Sequence, residues 1–127
     1  MFIYFNPNPL GRLNAGDCVV RALCALFDNS WDEVYTNLCL TGYQLCLMPT
    51  HNAVHQEFLK QRGYTLYSLP SNCPECINVK EFAKLYPKGN YILAMGDHVV
   101  ALKDGNFYDV FDSSNEVVSY FFKKKGE

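Results

Sequence analysis

Apolar positions recur at helical spacing through the first half of the chain and at strand spacing through the second. From Cys18, the residues Val19, Ala22, Leu23 and Leu26 share one helical face, and the pattern breaks at Asp28-Asn29. Ser30-Trp31-Asp32-Glu33 has the form of a capping box. It predicts a second helix with Trp31, Val34, Tyr35 and Leu38 on one face, ending near Gly42. A third helix is expected over residues 50–62, burying Val54, Phe58 and Leu59 and stopping at Gly63. Strand signal covers 64–68. After a loop carrying Cys73-Pro74-Glu75-Cys76, Asn78-Val79-Lys80-Glu81 caps a short helix that closes before Pro87. The rest reads as strands over 91–95, 98–103, 106–111 and 117–122, with Asp104-Gly105 as a hairpin turn. The first dozen residues, with Asn6-Pro7-Asn8-Pro9 and Gly11, read as extended and turn-rich. Helices followed by an antiparallel sheet is an α+β layout. No repeat or linker divides the chain, so residues 1–127 are expected to form a single domain.

Composition narrows the function classes. The 127 residues are 49% hydrophobic and 15% aromatic, enough for one sizeable folded core. The net charge is −2, and the only basic run, Lys123-Lys124-Lys125, reads as a solvated tail, so no nucleic-acid partner is expected. No apolar stretch approaches the roughly 20 residues that span a bilayer, so no membrane partner is expected either. The N-terminal segment lacks a basic region and is broken by proline, unlike a signal peptide. The expected location is cytoplasmic, with the six cysteines as thiols rather than a disulfide framework.

Two distant segments carry the chemistry. Gly16-Asp17-Cys18-Val19-Val20-Arg21-Ala22-Leu23 puts a cysteine at a helix mouth. There, unpaired amides and the helix dipole favour a thiolate and can also bind an oxyanion. Gly96-Asp97-His98-Val99-Val100-Ala101-Leu102 puts a histidine at the head of an apolar strand. A thiol activated by an imidazole that a carboxylate orients is the equipment of nucleophilic acyl transfer. Cys24, Cys39 and Cys46 lie in apolar helical stretches and read as small buried hydrophobes. His51 and His55 stand four apart with no third ligand, so they read as a surface or groove feature, and no metal is assigned.

The carboxylate depends on hairpin register. A two-residue turn pairs Lys103 with Asn106, setting His98 opposite Phe111 and on the same face as Asp109. A three-residue loop pairs Lys103 with Phe107 and sets His98 opposite Asp112. Both registers remain open from the residues alone. Cys73-Pro74-Glu75-Cys76 reads as a loop with two ordinary thiols, ahead of half a zinc site completed by Cys39 and Cys46, or a redox pair. No cofactor is expected.

A helix-borne Cys, then a strand-leading His, then Asn or Asp at the end of the next strand resembles the papain-like cysteine peptidase fold. Asp17-Cys18 to Leu23 is similar to the helix start of small bacteriocin-processing peptidases, and also resembles the cysteine motif of ovarian-tumour-type deubiquitinases. Asn-Pro-Asn-Pro, Gly-Asp-Cys-Val-Val-Arg-Ala, Ser-Trp-Asp-Glu-Val-Tyr, Pro-Lys-Gly-Asn-Tyr and His-Val-Val-Ala with Asp-Ser-Ser look like a largely uncharacterised family of small bacteriophage and Firmicutes proteins. The papain-like resemblance implies a triad of Cys18, His98 and Asp112, the last ranked above Asp109 because Ser113 follows it. It also implies a glutamine about six residues before the cysteine as oxyanion donor. Arg12 stands there instead, leaving Asn14, Asn8, Asn6 or the Cys18 amide for that role. The expectation is a cysteine-dependent peptidase or isopeptidase acting on a peptide or protein substrate. The alternative is a non-catalytic papain-like module that binds a host protein through aromatics such as Tyr4, Phe5, Tyr43, Tyr120 and Phe121.

Overall fold

The chain runs β1 (Phe2–Tyr4), α1 (Cys18–Phe27), α2 (Trp31–Leu45), α3 (Asn52–Gln61), β2 (Tyr64–Ser68), α4 (Val79–Leu85), β3 (Asn90–Met95), β4 (His98–Lys103), β5 (Asn106–Asp109) and β6 (Tyr120–Lys124). The computed structural model describes residues 1–70 and 72–125. Capping sets two helix starts. The Ser30 hydroxyl accepts the Glu33 N–H while the Glu33 carboxylate accepts the Ser30 N–H, and Asn78 with Glu81 repeats the exchange at α4. α1 differs: Asp17 sits at its N-cap but makes no side-chain cap bond.

The architecture is α+β, around a six-stranded sheet in the order β1-β5-β4-β3-β6-β2. All neighbouring pairs are antiparallel except β1, which runs parallel to β5, so the sheet is mixed rather than wholly antiparallel. Alternate residues of the central strands feed two cores. Ile92, Ala94, Val99 and Ala101 pack with Leu23, Leu26, Val34, Phe58 and Leu59 of α1–α3. Leu93, Val100 and Leu102 pack with Val79 and Phe82 of α4. Covering both faces explains why β3 and β4 read as nearly unbroken apolar runs. Among the described residues, no helix is long and apolar enough to cross a membrane.

Several boundaries move from their sequence expectation. The extended N-terminal arm contains a true strand, β1, whose three residues were too few to announce themselves. α2 passes Gly42 and ends at Cys46, in the left-handed region at φ 58°. Gly42 serves a close approach instead: a Cβ there would lie 2.8 Å from the Leu47 carbonyl oxygen. α3 is capped by His51, whose Nδ1 accepts the Ala53 N–H at 3.1 Å. Val117 makes only an isolated bridge to Asn78, and β6 starts at Tyr120. Cys73 and Cys76 form a disulfide, against the expectation of two thiols; the adjacency that suggested half a zinc site closes a short ring instead. No group of three or more metal-ligating side chains is assembled among the described residues.

His55 also departs from expectation. It is buried, packs edge-on against Phe122, and its Nε2 has no hydrogen-bond partner. Burial alone pushes its pKa from 6.5 down to about 4. A folded-state pKa below the unfolded value contributes stability above pH 6.5, which is lost as pH falls toward 4. Urea titrations should therefore show about 2 kcal/mol less stability at pH 5 than at pH 7.5 from this residue. His55→Phe should lack that component. An equal loss in both proteins would place the acid sensitivity elsewhere.

Candidate active site

Cys18 is the first residue of α1, and α1 packs chiefly on β4. That packing sets the helix mouth beside the head of β4, where His98 follows the Gly96-Asp97 turn. The Cys18 thiol lies beside the His98 imidazole and the backbone of Val99, and both favour its ionised form. On its other side the ring meets a carboxylate: His98 Nε2 lies 2.6 Å from Asp109 Oδ2. With Nε2 so engaged, Nδ1 is the ring nitrogen left for the thiol. Phe111 packs on the ring with centroids 4.9 Å apart.

The hairpin register accounts for Asp109. Lys103 pairs with Asn106 across a two-residue turn in which Asp104 and Gly105 have φ of 49° and 83°, the positive values a tight hairpin turn with matching twist requires. This brings the end of β5 alongside the head of β4. Asp112 lies beyond it, in an exposed turn where its carboxylate accepts the Ser114 N–H at 3.0 Å. The structure therefore brings Cys18 and His98 together with Asp109, and not with Asp112. The strand-end analogy chose a residue three positions too late because β5 stops at Asp109 rather than at residue 111.

Asp109 is fully buried and saturated. Oδ2 accepts from His98 and from the Ser113 hydroxyl at 3.1 Å; Oδ1 accepts from the Val110 N–H at 2.8 Å and forms an ion pair with Arg21 Nη2 at 3.2 Å. Ser113 and Arg21 were not singled out from the sequence. For Arg21 a signal existed, because it stands four residues after Asp17, the spacing of a helical ion pair.

The charges of the pair are tuned against each other. Burial pushes the His98 pKa down, but the hydrogen bonds to Asp109 and Cys18 and their negative charges outweigh it and raise it to about 9. Burial pushes the Cys18 thiol up, yet the His98 and Val99 hydrogen bonds with the His98 and Arg21 charges bring it below its ordinary value. Both shifts favour the thiolate–imidazolium form of the pair, and the two protons titrate as one coupled system.

The thiol opens onto a cleft of about 790 Å³ walled by α1, the arm preceding it, and the start of α2. Trp31 and Tyr35 stack in this wall with centroids 4.8 Å apart. Arg12 also lines the cleft. The Asn8 amide nitrogen donates to Asp17 at 3.2 Å and the Asn6 amide to the Arg12 carbonyl at 3.4 Å, so both stitch the arm together. Asn14 is exposed. Of the aromatics expected on the surface, Tyr4 and Tyr43 are exposed, Phe5 and Tyr120 are half-buried, and Phe121 belongs to the core. No protein-family model, curated protein or solved structure matches this chain.

Proposed function

We propose that this protein is a cysteine-dependent hydrolase of papain-like type, cleaving peptide or isopeptide bonds. The observation that carries the reading is the continuous chain from the Cys18 thiol through His98 to buried Asp109, opening on a cleft. The Cys18 thiolate attacks the substrate carbonyl carbon, forming a C–S bond and moving the carbonyl electrons onto oxygen. As the tetrahedral species collapses, the departing amine takes the proton from His98 Nδ1. Water then attacks the thioester, His98 accepts its proton, and Cys18 leaves as thiolate. Asp109 holds the ring orientation and stabilises the imidazolium throughout. Amides at the mouth of α1, left without a side-chain cap by Asp17, supply oxyanion donors.

Incubation with a panel of peptide, isopeptide and activated-ester substrates should give turnover and, on acid quench, an acyl adduct on Cys18 by intact-mass and peptide mass spectrometry. Cys18→Ala should show neither. A folded protein that yields no turnover and no adduct across the panel would sink the assignment. The commitment of the Asn6 and Asn8 side chains to the arm favours a second reading as a non-catalytic binding module. Partner capture unaffected by Cys18→Ala would support that reading.

A further inference from the structure

Arg21 is 4% exposed, and its guanidinium divides between two carboxylates. Nη1 lies 3.3 Å from Asp17 Oδ1, on the residue immediately before the nucleophile, and Nη2 lies 3.2 Å from Asp109 Oδ1, on the residue that orients the base. Asp17 is itself fixed from two sides, by the Trp31 indole N–H at 2.9 Å and by the Asn8 amide at 3.2 Å. We propose that Arg21 is a positioning residue that ties the nucleophile helix to the His98-orienting carboxylate and holds the Cys18–His98 pair in its charge-separated form.

Three physical points support it. A planar guanidinium presents donors in different directions at fixed separation and can span two carboxylates, which one ammonium cannot. Both carboxylates are buried, and removing their shared cation would leave buried negative charge less well compensated. Arg21 also acts on the nucleophile directly, since its positive charge favours the Cys18 thiolate. The charged groups acting on the pair are thus Arg21 from α1, Asp109 from β5, and each member of the pair on the other.

This inference rests on the thiol-hydrolase reading, and the experiment separates their failures. The rate of Cys18 alkylation by iodoacetamide is followed against pH by peptide mass spectrometry in the wild type, Arg21→Met and Arg21→Lys, each checked for folding by circular dichroism. In the wild type the midpoint should lie well below that of a free thiol. In Arg21→Met it should move to higher pH, weakening thiol acidity at least threefold, and in Arg21→Lys it should fall between the two. A role confined to helix packing would lower the melting temperature and leave the midpoint in place, which overturns the proposal. Should Arg21→Met not fold, Arg21→Lys decides: a wild-type midpoint in the folded lysine variant overturns it. A wild-type Cys18 that titrates as an ordinary thiol instead overturns the hydrolase reading, and this inference with it.

Discussion

Asp109→Ala should slow acylation of Cys18 on the order of a hundredfold or more, while Asp112→Ala should leave it within about twofold. The contrast follows from position. Asp109 is 2.6 Å from the His98 ring and has no exposure, whereas Asp112 faces solvent and engages the Ser114 amide. Removing Asp109 frees the imidazole to rotate and leaves the buried guanidinium of Arg21 with Asp17 alone, so up to about 3–5 kcal/mol of stability should go with it. Rates are therefore expressed per folded molecule, with the folded fraction taken from urea titrations. Asp109→Asn offers a milder comparison, since its amide oxygen can still accept from Nε2. It lacks the negative charge that raises the His98 pKa, so the alkaline limb of activity should move below about pH 9. Equal losses at positions 109 and 112 would break the assignment of the orienting carboxylate.

His98→Ala should have the largest effect on the nucleophile itself. The thiol is held below its ordinary value against its own burial, chiefly by the hydrogen bond and charge of His98. Without the imidazole, burial stands largely unopposed and the thiol returns to or above the free value of about 8.5. At pH 6.5, alkylation by iodoacetamide should then drop at least severalfold, on the order of tenfold, relative to the wild type. The reciprocal experiment works on the base. Cys18→Ala removes two of the contributions that raise His98, so its imidazole resonances should titrate below about pH 9. The wild-type window of amide turnover should accordingly rise through the lowered thiol value and close as His98, the proton donor to the leaving amine, deprotonates near pH 9. A Cys18 equally reactive with and without His98 would break the pair.

Both members of this pair were legible in the sequence because each sits at the first residue of a strongly patterned element. Val19, Ala22, Leu23 and Leu26 fix the start of α1 within a turn, and the apolar run after His98 fixes the start of β4. The carboxylate was legible only as two alternatives. Register is decided by the backbone conformation of two turn residues, and the sequence Asp104-Gly105 permits more than one loop length. The two-residue turn sets Asp109 on the face of His98; ranking by analogy pointed to Asp112 because Ser113 follows it, and β5 ends at Asp109, short of the residue 111 expected. β1 was hidden for another reason. Three residues that gain their stability by pairing with β5 leave no periodicity to read. The burial of His55 was missed because, with no third ligand beside them, His51 and His55 read as a surface or groove feature, and only the position of Phe122 on the sheet shows what covers the ring.

The thiol, base and carboxylate come from the first turn of a helix and from two hydrogen-bonded strands, while much of the facing wall of the cleft comes from stretches outside any helix or strand, around residues 8–16 and 49–50. On the hydrolase reading, chemistry and recognition occupy separable parts of the chain. Exchanging the tips of those two stretches, with Asn8, Asp17 and the element ends kept, would re-specify what enters the cleft without disturbing what happens there. The scaffold is in this sense modular, a cutting edge in a fixed mount with replaceable jaws.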